Sequence, residues 1–470
     1  DNGFIIKEEN GLLFIDSYET TTIFILDKLL KYSKMGNRGQ RELNLYYLKQ
    51  CNISFEDPSK YVALKNLFVN SQVMLIYGAA GTGKTTLINY ISNMMNKSKK
   101  LFLTKTHTAL QNLKRCIENP GMDSDFISID SFTKKIALAD YDIIFVDECS
   151  TIDNRTMKRL LEKVGEHTAL VLAGDIYQIE SIDFGNWFYY AKDIVKTEGA
   201  NVELLNTWRT DKEELKSLWD EVRNVQPIIT EKLVIDGPFS TDIGEEIFVP
   251  QDDDEIVLCL NYDGKFGLNN MNLYFQNTNT KSQVYTWAEW TFKVGDPVIF
   301  LDTKRSSLLY NNLKGRIVEI SKSDSAILFT LDIDTILTER QCGNESFEFI
   351  GVNGSKTRIR LEVIAYDDEL ANDEERVKTI IPFQIAYAVS IHKAQGLEYN
   401  SVKIIIPSYN AEKISHSIFY TAITRSKEKL KIFWSAETMN DIIKSFDKEK
   451  NGRRTLDLIE RKLKNESNEN

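Results

Sequence analysis

The apolar run VMLIY at 73–77 passes directly into GAAGTGKT at 78–85, and TTLINYISNMMN follows at once. An apolar strand, a glycine-rich loop and a helix in that order leave a chain few folds to choose from. The loop fits GxxxxGK(S/T). Gly78, Gly81 and Gly83 free the backbone to turn its N–H groups onto phosphate oxygens. Lys84 reaches the outer phosphates, Thr82 and Thr86 complete the cradle, and Thr85 offers its hydroxyl to a magnesium ion. The helix adds the positive end of its dipole to the same spot. ATP with Mg2+ is the expected occupant, because a glycine-rich turn that binds nothing needs neither the strand before it nor the helix after it.

The same alternation continues from about 60 to 210: KLFLT, ALQNLKRCIE, DIIFVDE, MKRLLEKVGE and ALVLAGD. It predicts an α/β domain with a parallel sheet flanked by helices. DIIFVDE ends on Asp147, suited to hold the magnesium, and Glu148, suited to polarise an attacking water. Such a pair alone is ordinary solvated loop; behind a phosphate loop it is that loop's partner. From 290 to 365 the text changes to short, alternating, glycine-punctuated runs (FKVGDPVIFLD, GRIVEISKS, AILFTLDID, TRIRLEVIAYD). These predict a small all-β unit inserted into a second α/β domain, whose own strands resume with KIIIP and KLKIFW. The expected divisions are an N-terminal region at 1–55, domains at 56–210 and at 211–289 with 378–446, the β insertion at 290–377, and a charged tail at 447–470. The acidic DDELANDEER (367–376) is expected as a solvated loop, and the last residues of the tail as disordered. Residues 1–55 mix a strand-like FIIKEENGLLFI with helical patterns and carry no motif.

Composition narrows the setting more than the function. No apolar run approaches the length of about 18 residues that spans a bilayer. Five scattered cysteines without a CxxC pair, and only four histidines, argue against structural zinc and for free thiols in the cytoplasm. The net charge of −11 does not announce nucleic acid, yet phosphate binding needs only a few well-placed cations. The chain opens on Asp1 rather than Met, so a boundary or a missing upstream segment is expected.

Further along stand AGDIYQ (173–178), LNTWRT (205–210), AVSIHKAQGLEY (388–399) and YTAITRSKEKL (420–430). In that order with the first two motifs, the series resembles the superfamily 1 helicases, in particular RecD-like and Dda-like enzymes, over about residues 70–435. The resemblance implies two RecA-like domains in tandem, an SH3-like β insertion in the second, ATP between the domains and single-stranded DNA across the top, RNA not being set aside. It implies that Gln178 senses the outer phosphate and that Arg209 and Arg425 reach across the cleft as arginine fingers. Trp208 takes the place of an aromatic that stacks on adenine; Gly396 faces the nucleotide, Glu398 contacts ribose and Gln395 couples nucleotide to strand. TKTHTA and DSF resemble the strand-gripping motifs, which nominates Thr106, His107 and Ser131, joined by Ser390, His392 and Lys393. HKAQG and the short spacing from Thr85 to Asp147 set the chain with the branch that moves 5′ to 3′.

Two departures accompany the resemblance. The adenine-reading glutamine expected before the phosphate loop is absent from ISFEDPSKYVALKNLF (53–68). The strand-splitting pin has only TKKIALADYD (133–142) in its place, so walking on single strands is expected to exceed splitting of duplexes. Two functions remain open: an ATP-driven 5′→3′ DNA helicase or translocase, and an ATPase subunit that senses nucleic acid and switches a partner such as a nuclease or another repair or defence protein. A metabolic kinase has no use for the paired arginine motifs.

Overall fold

The computed structural model describes residues 5–9, 11–50, 57–134, 140–181, 183–236, 239–280, 282–301, 305–306, 308–343, 345–365, 373–446 and 451–469. They group into two compact units: 1–226 with 415–421 and 444–470, and 227–414 with 422–443.

The first unit opens on a hairpin of β1 (Ile6–Glu9) and β2 (Leu12–Ile15), then α1 (Asp16–Ser33), α2 (Gln40–Gln50) and α3 (Pro58–Asn66). Strands and helices then alternate: β3 (Val73–Gly78), α4 (Lys84–Met94), β4 (Lys100–Thr104), α5 (His107–Cys116), β5 (Ser124–Ser128), α6 (Ile129–Lys134), β6 (Ile143–Val146), α7 (Asn154–Leu161), β7 (Ala169–Gly174), α8 (Trp187–Ile194), β8 (Asn201–Leu204) and α9 (Glu213–Arg223). The strands β3 to β8 form one parallel sheet in the order β5-β4-β6-β7-β3-β8.

Both faces of this sheet are covered, so its central strands are apolar throughout, as parallel sheets require. Side chains still sort by parity. Val73, Leu75, Tyr77, Leu101, Leu103, Ile144, Val146, Leu170 and Leu172 face one core with α1, α7 and α8; Met74, Ile76, Phe102, Ile143, Phe145, Val171 and Ala173 face the other with α3, α4 and α5. The N-terminal residues thus serve as structure: Ile25, Leu26 and Leu29 of α1 are fully buried in the first of these cores.

The charged tail is a correction. Residues 451–469 form a helix rather than a disordered end, with Ile459 and Leu463 in the same core as α1. Leu456, Ile459 and Leu463 share one helical face, and Lys462 on its flank pairs with Glu9 and Glu19. Half of the stretch that stands in the pin's place lies outside the described residues (135–139), as do 51–56 and most of the acidic stretch (367–372).

The second unit carries a parallel sheet of β9 (Ser240–Thr241), β10 (Glu255–Cys259), β19 (Ala388–Ser390), β20 (Tyr399–Ile405) and β21 (Ser426–Phe433), in the order β19-β10-β20-β21-β9. Between β10 and β19 the chain makes a hairpin, β11 (Val284–Trp287) with β12 (Trp290–Lys293), and an antiparallel sheet. That sheet contains β13 (Pro297–Phe300), β14 (Lys314–Lys322), β15 (Ala326–Ile333), β16 (Glu348–Asn353), β17 (Lys356–Ile364) and β18 (Phe383–Ile385), in the order β16-β17-β15-β14-β13-β18. Along β17, Thr357, Ile359, Leu361 and Val363 are buried while Arg358, Arg360 and Glu362 are not, so one face packs and the other meets water.

Candidate nucleotide site and strand-facing loops

Parallel strands deliver their following loops to one edge, and ligands of such sheets gather there. Along the first sheet, that edge carries in spatial order Ser131 after β5, Thr106 and His107 after β4, Asp147 and Glu148 after β6, Asp175 and Gln178 after β7, the phosphate loop after β3, and Thr207 to Arg209 after β8. Motifs scattered over some 130 residues of sequence become neighbours because six strands point the same way.

The phosphate loop is shaped by its glycines. Gly81 and Gly83 sit at φ +77° and +84°, where a side chain is strained. A Cβ on Gly78 would collide with Thr82 Oγ1, and one on Gly81 with Arg209 Cβ. Thr82 is fully buried and donates to the Ala79 carbonyl (2.9 Å), which closes the loop on itself. Lys84 Nζ donates to the carbonyls of Gly78 and Ala79, both at 2.9 Å. Thr86, one step further, is exposed.

Thr85 Oγ1 donates to Asp147 Oδ2 at 3.0 Å, so the hydroxyl and carboxylate expected to share a magnesium ion already touch. Two hard oxygen donors at that spacing fit the ion. Glu148 stands at φ +56°, a left-handed conformation that is uncommon for a residue with a side chain. Strain of this kind collects at sites where one side chain must be aimed. The Glu148 amide donates to Asp147 Oδ1 (2.9 Å), fixing the two carboxylates relative to one another.

Burial shapes the charges. It pulls the Lys84 pKa below the ordinary lysine value, and Asp175, Asp147 and Glu148 partly oppose the shift. Burial raises the Asp147 pKa, with the Glu148 amide, Lys84 and Thr85 working against it. Gln178 Nε2 donates to Asp175 Oδ2 at 2.9 Å, which links the expected phosphate sensor to a carboxylate facing Lys84.

Arg209 stands beside the phosphate loop. It lies in the same unit as the phosphate loop, because LNTWRT follows β8 and β8 pairs with β3. Thr207 Oγ1 donates to the Ala80 carbonyl (3.0 Å) and the Trp208 amide to that of Gly81 (2.8 Å), so this segment is strapped along the loop. The Trp208 ring stays half exposed, free to lie on a planar base. Arg425 belongs to the second unit, is 1% exposed and donates to the Leu397 carbonyl (3.3 Å). Gly396 there adopts φ +78°, and Glu398 pairs with Lys427 (2.9 Å).

The strand-gripping candidates split by environment. Thr106 caps α5 by accepting from the Ala109 amide (3.2 Å), leaving His107 exposed at the first turn. Ser131, exposed, accepts from Ser128 Oγ (2.8 Å). In the second unit His392 is exposed past β19, while Ser390 is buried and accepts from the Lys393 amide (3.2 Å). Lys393 Nζ donates to Gln384 of β18 at 2.8 Å, and burial lowers its pKa.

Comparison with known proteins agrees with this geometry. Residues 58–233 match a family model described as an AAA domain, and residues 385–432 match one described as a UvrD-like helicase C-terminal domain. The RecD subunit of the RecBCD enzyme from Buchnera aphidicola subsp. Acyrthosiphon pisum is 22% identical over 481 residues, covering 89% of this chain and 78% of that one. Its counterpart from Buchnera aphidicola subsp. Schizaphis graminum is 21% identical, covering 89% and 82%. These matches together support a superfamily 1 helicase of RecD-like type. A solved structure of Pif1 helicases at forked double-stranded DNA shares the fold with the RecD-like chain, at a TM-score of 0.50 and 16% identity, covering 82% of this chain and 92% of that one. The relatives support ATP hydrolysis of the helicase class on two RecA-like domains.

Sequence reading of this helicase left two contributors without a role. Asp175 was visible inside AGDIYQ, but its field on Lys84 follows only from β7 lying between β6 and β3. Lys60 stands in no motif, yet α3 carries it to the phosphate loop.

Proposed function

We propose that this protein is an ATP-driven motor on single-stranded DNA that moves 5′ to 3′. The observation that carries the reading is the run of loops along one sheet edge, in which Asp147, Glu148 and Gln178 stand between the phosphate loop with its Thr85 and the exposed His107 and Ser131. The strand-facing loops follow β5 and β4 and the nucleotide groups follow β6, β7 and β3, so the two sets meet where β4 pairs with β6. Asp147 and Thr85 hold the magnesium that neutralises phosphate charge when bound, Glu148 takes a proton from the attacking water, and Lys84 with Arg209 holds the charge that spreads during transfer. The direction rests on the likeness to RecD subunits.

Duplexes carrying a 5′ or a 3′ single-stranded tail, and single strands with a bound block at either end, separate the possibilities. Displacement from 5′-tailed substrates and removal of blocks from 3′ ends are expected, with block removal the faster. Activity only on 3′ tails would overturn the direction. A second reading is favoured by the RecD subunits among the relatives: an ATPase that acts within a larger assembly alongside a nuclease. DNA-stimulated hydrolysis without movement of either block would select it.

A further inference from the structure

Lys105 stands between Thr104, the last residue of β4, and Thr106, the cap of α5. Thr104 Oγ1 donates to the Thr106 carbonyl (2.9 Å), so the turn around Lys105 is closed on itself. The ammonium turns to two carboxylates carried by two other loops: Asp130 Oδ1 of α6 at 3.1 Å, and Asp153 Oδ2 before α7 at 3.3 Å. Asp130 adjoins Ser131, and Lys105 adjoins Thr106 and His107, so this ion pair joins both strand-facing loops of the first sheet. Asp153 belongs to a third loop, the one that leaves β6 with Asp147 and Glu148.

The Asp153 end of this link is stiff. Thr151 donates to the Glu148 carbonyl twice, from its hydroxyl (2.8 Å) and from its amide (2.9 Å), which folds Cys149–Thr151 into a short turn. Trp187 Nε1 donates to the Ile152 carbonyl (2.9 Å). Asp153 then caps α7, accepting from the Thr156 amide (2.8 Å) and hydroxyl (2.7 Å). Burial opposes the charged forms of both Lys105 and Asp153. The ion pairs, with the Thr156 bonds, outweigh it, so the Lys105 pKa lies above its ordinary value and the Asp153 pKa below. Both groups stay charged at neutral pH, and the ammonium is a crosspiece between the strand-facing loops and the segment that follows Glu148.

Resting on the reading of the chain as a motor stimulated by DNA, we propose that Lys105 is a positioning residue: through Asp130 and Asp153 it carries the arrival of a single strand at Thr106, His107 and Ser131 to Glu148. A strand that shifts either gripping loop moves the ammonium, and the ammonium moves the turn that holds the Glu148 carbonyl. Charge alone makes the opposite forecast for Asp130. Its carboxylate lies beside residues that meet phosphates, so neutralising it favours DNA if it acts only through its field. If it holds Lys105 in place, neutralising it weakens the coupling.

ATP hydrolysis by the full chain, with and without a dT oligonucleotide, tests this beside the binding of a fluorescent dT strand. Lys105→Met is expected to cut the stimulation by about tenfold, an ordinary size for coupling between two sites, and to leave hydrolysis without DNA within about twofold of wild type. Asp130→Asn is expected to cut it by about fivefold, although a negative charge leaves the edge. Lys105→Arg is expected to restore most of it, since a guanidinium can bridge both carboxylates. Lys105→Met and Asp130→Asn together are expected to lose no more than Lys105→Met alone, because a single link is broken. Asp130 is half exposed, so its variant keeps the fold and decides the matter if Lys105→Met melts early. Stimulation unchanged or raised in Asp130→Asn sinks the proposal. So does a shallower salt dependence of strand binding in Lys105→Met, the mark of a lysine that touches phosphate itself. If wild type responds to the strand and Lys105→Met responds equally, only Lys105 falls. If wild-type hydrolysis ignores every single strand, the motor reading and the Lys105 proposal fall together.

Discussion

Lys84 and Asp147 are both kept where burial opposes their charged forms, and a magnesium-bound phosphate relieves both at once. Lys84→Ala should therefore reduce ATP turnover by about a hundredfold or more while the protein stays folded, checked by a hydrolysis assay beside a thermal melt. Glu148→Gln should still bind ATP yet turn it over about a hundredfold more slowly, since Thr85 and Asp147 keep the ion and only the base is lost. Equal loss of ATP binding would make Glu148 a structural residue. Lys84, Thr85 and Asp147 were legible because their motifs encode backbone shape, which is local. Arg209 comes to stand beside the phosphate loop because β8 pairs with β3, and no local pattern records that.

At the scale of elements, the apolar run of each central strand announced the first sheet, and its parity alone sorts side chains between two cores. The helix at 451–469 escaped because its charges are conspicuous and its apolar residues few. Leu456, Ile459 and Leu463 fall three and four apart, a face only wide enough to cover α1. Ile459→Ala should destabilise the first unit by about 2–4 kcal/mol, seen as a lower thermal midpoint. Glu460→Ala, on a residue whose side chain is part exposed, should leave that midpoint nearly unchanged.

For the whole molecule, hydrolysis and strand contact are predicted to be one cycle. Single-stranded DNA should raise the ATPase rate, and the DNA concentration needed for half the effect should climb steeply with salt as displaced counterions become harder to release. A rate indifferent to every nucleic acid would leave the motor without a track. The two units are threaded unequally: the first is completed by residues 415–421 and 444–470, after the second has been laid down between them. On the ribosome, α1 and the sheet beneath it must wait for Ile459 and Leu463 while the stretch 227–443 is made, roughly 10–40 s at ordinary synthesis rates. A nascent chain halted before 444 would expose that apolar face to chaperones, so a stop at that point should yield a protein cleared by quality control rather than a stable first unit.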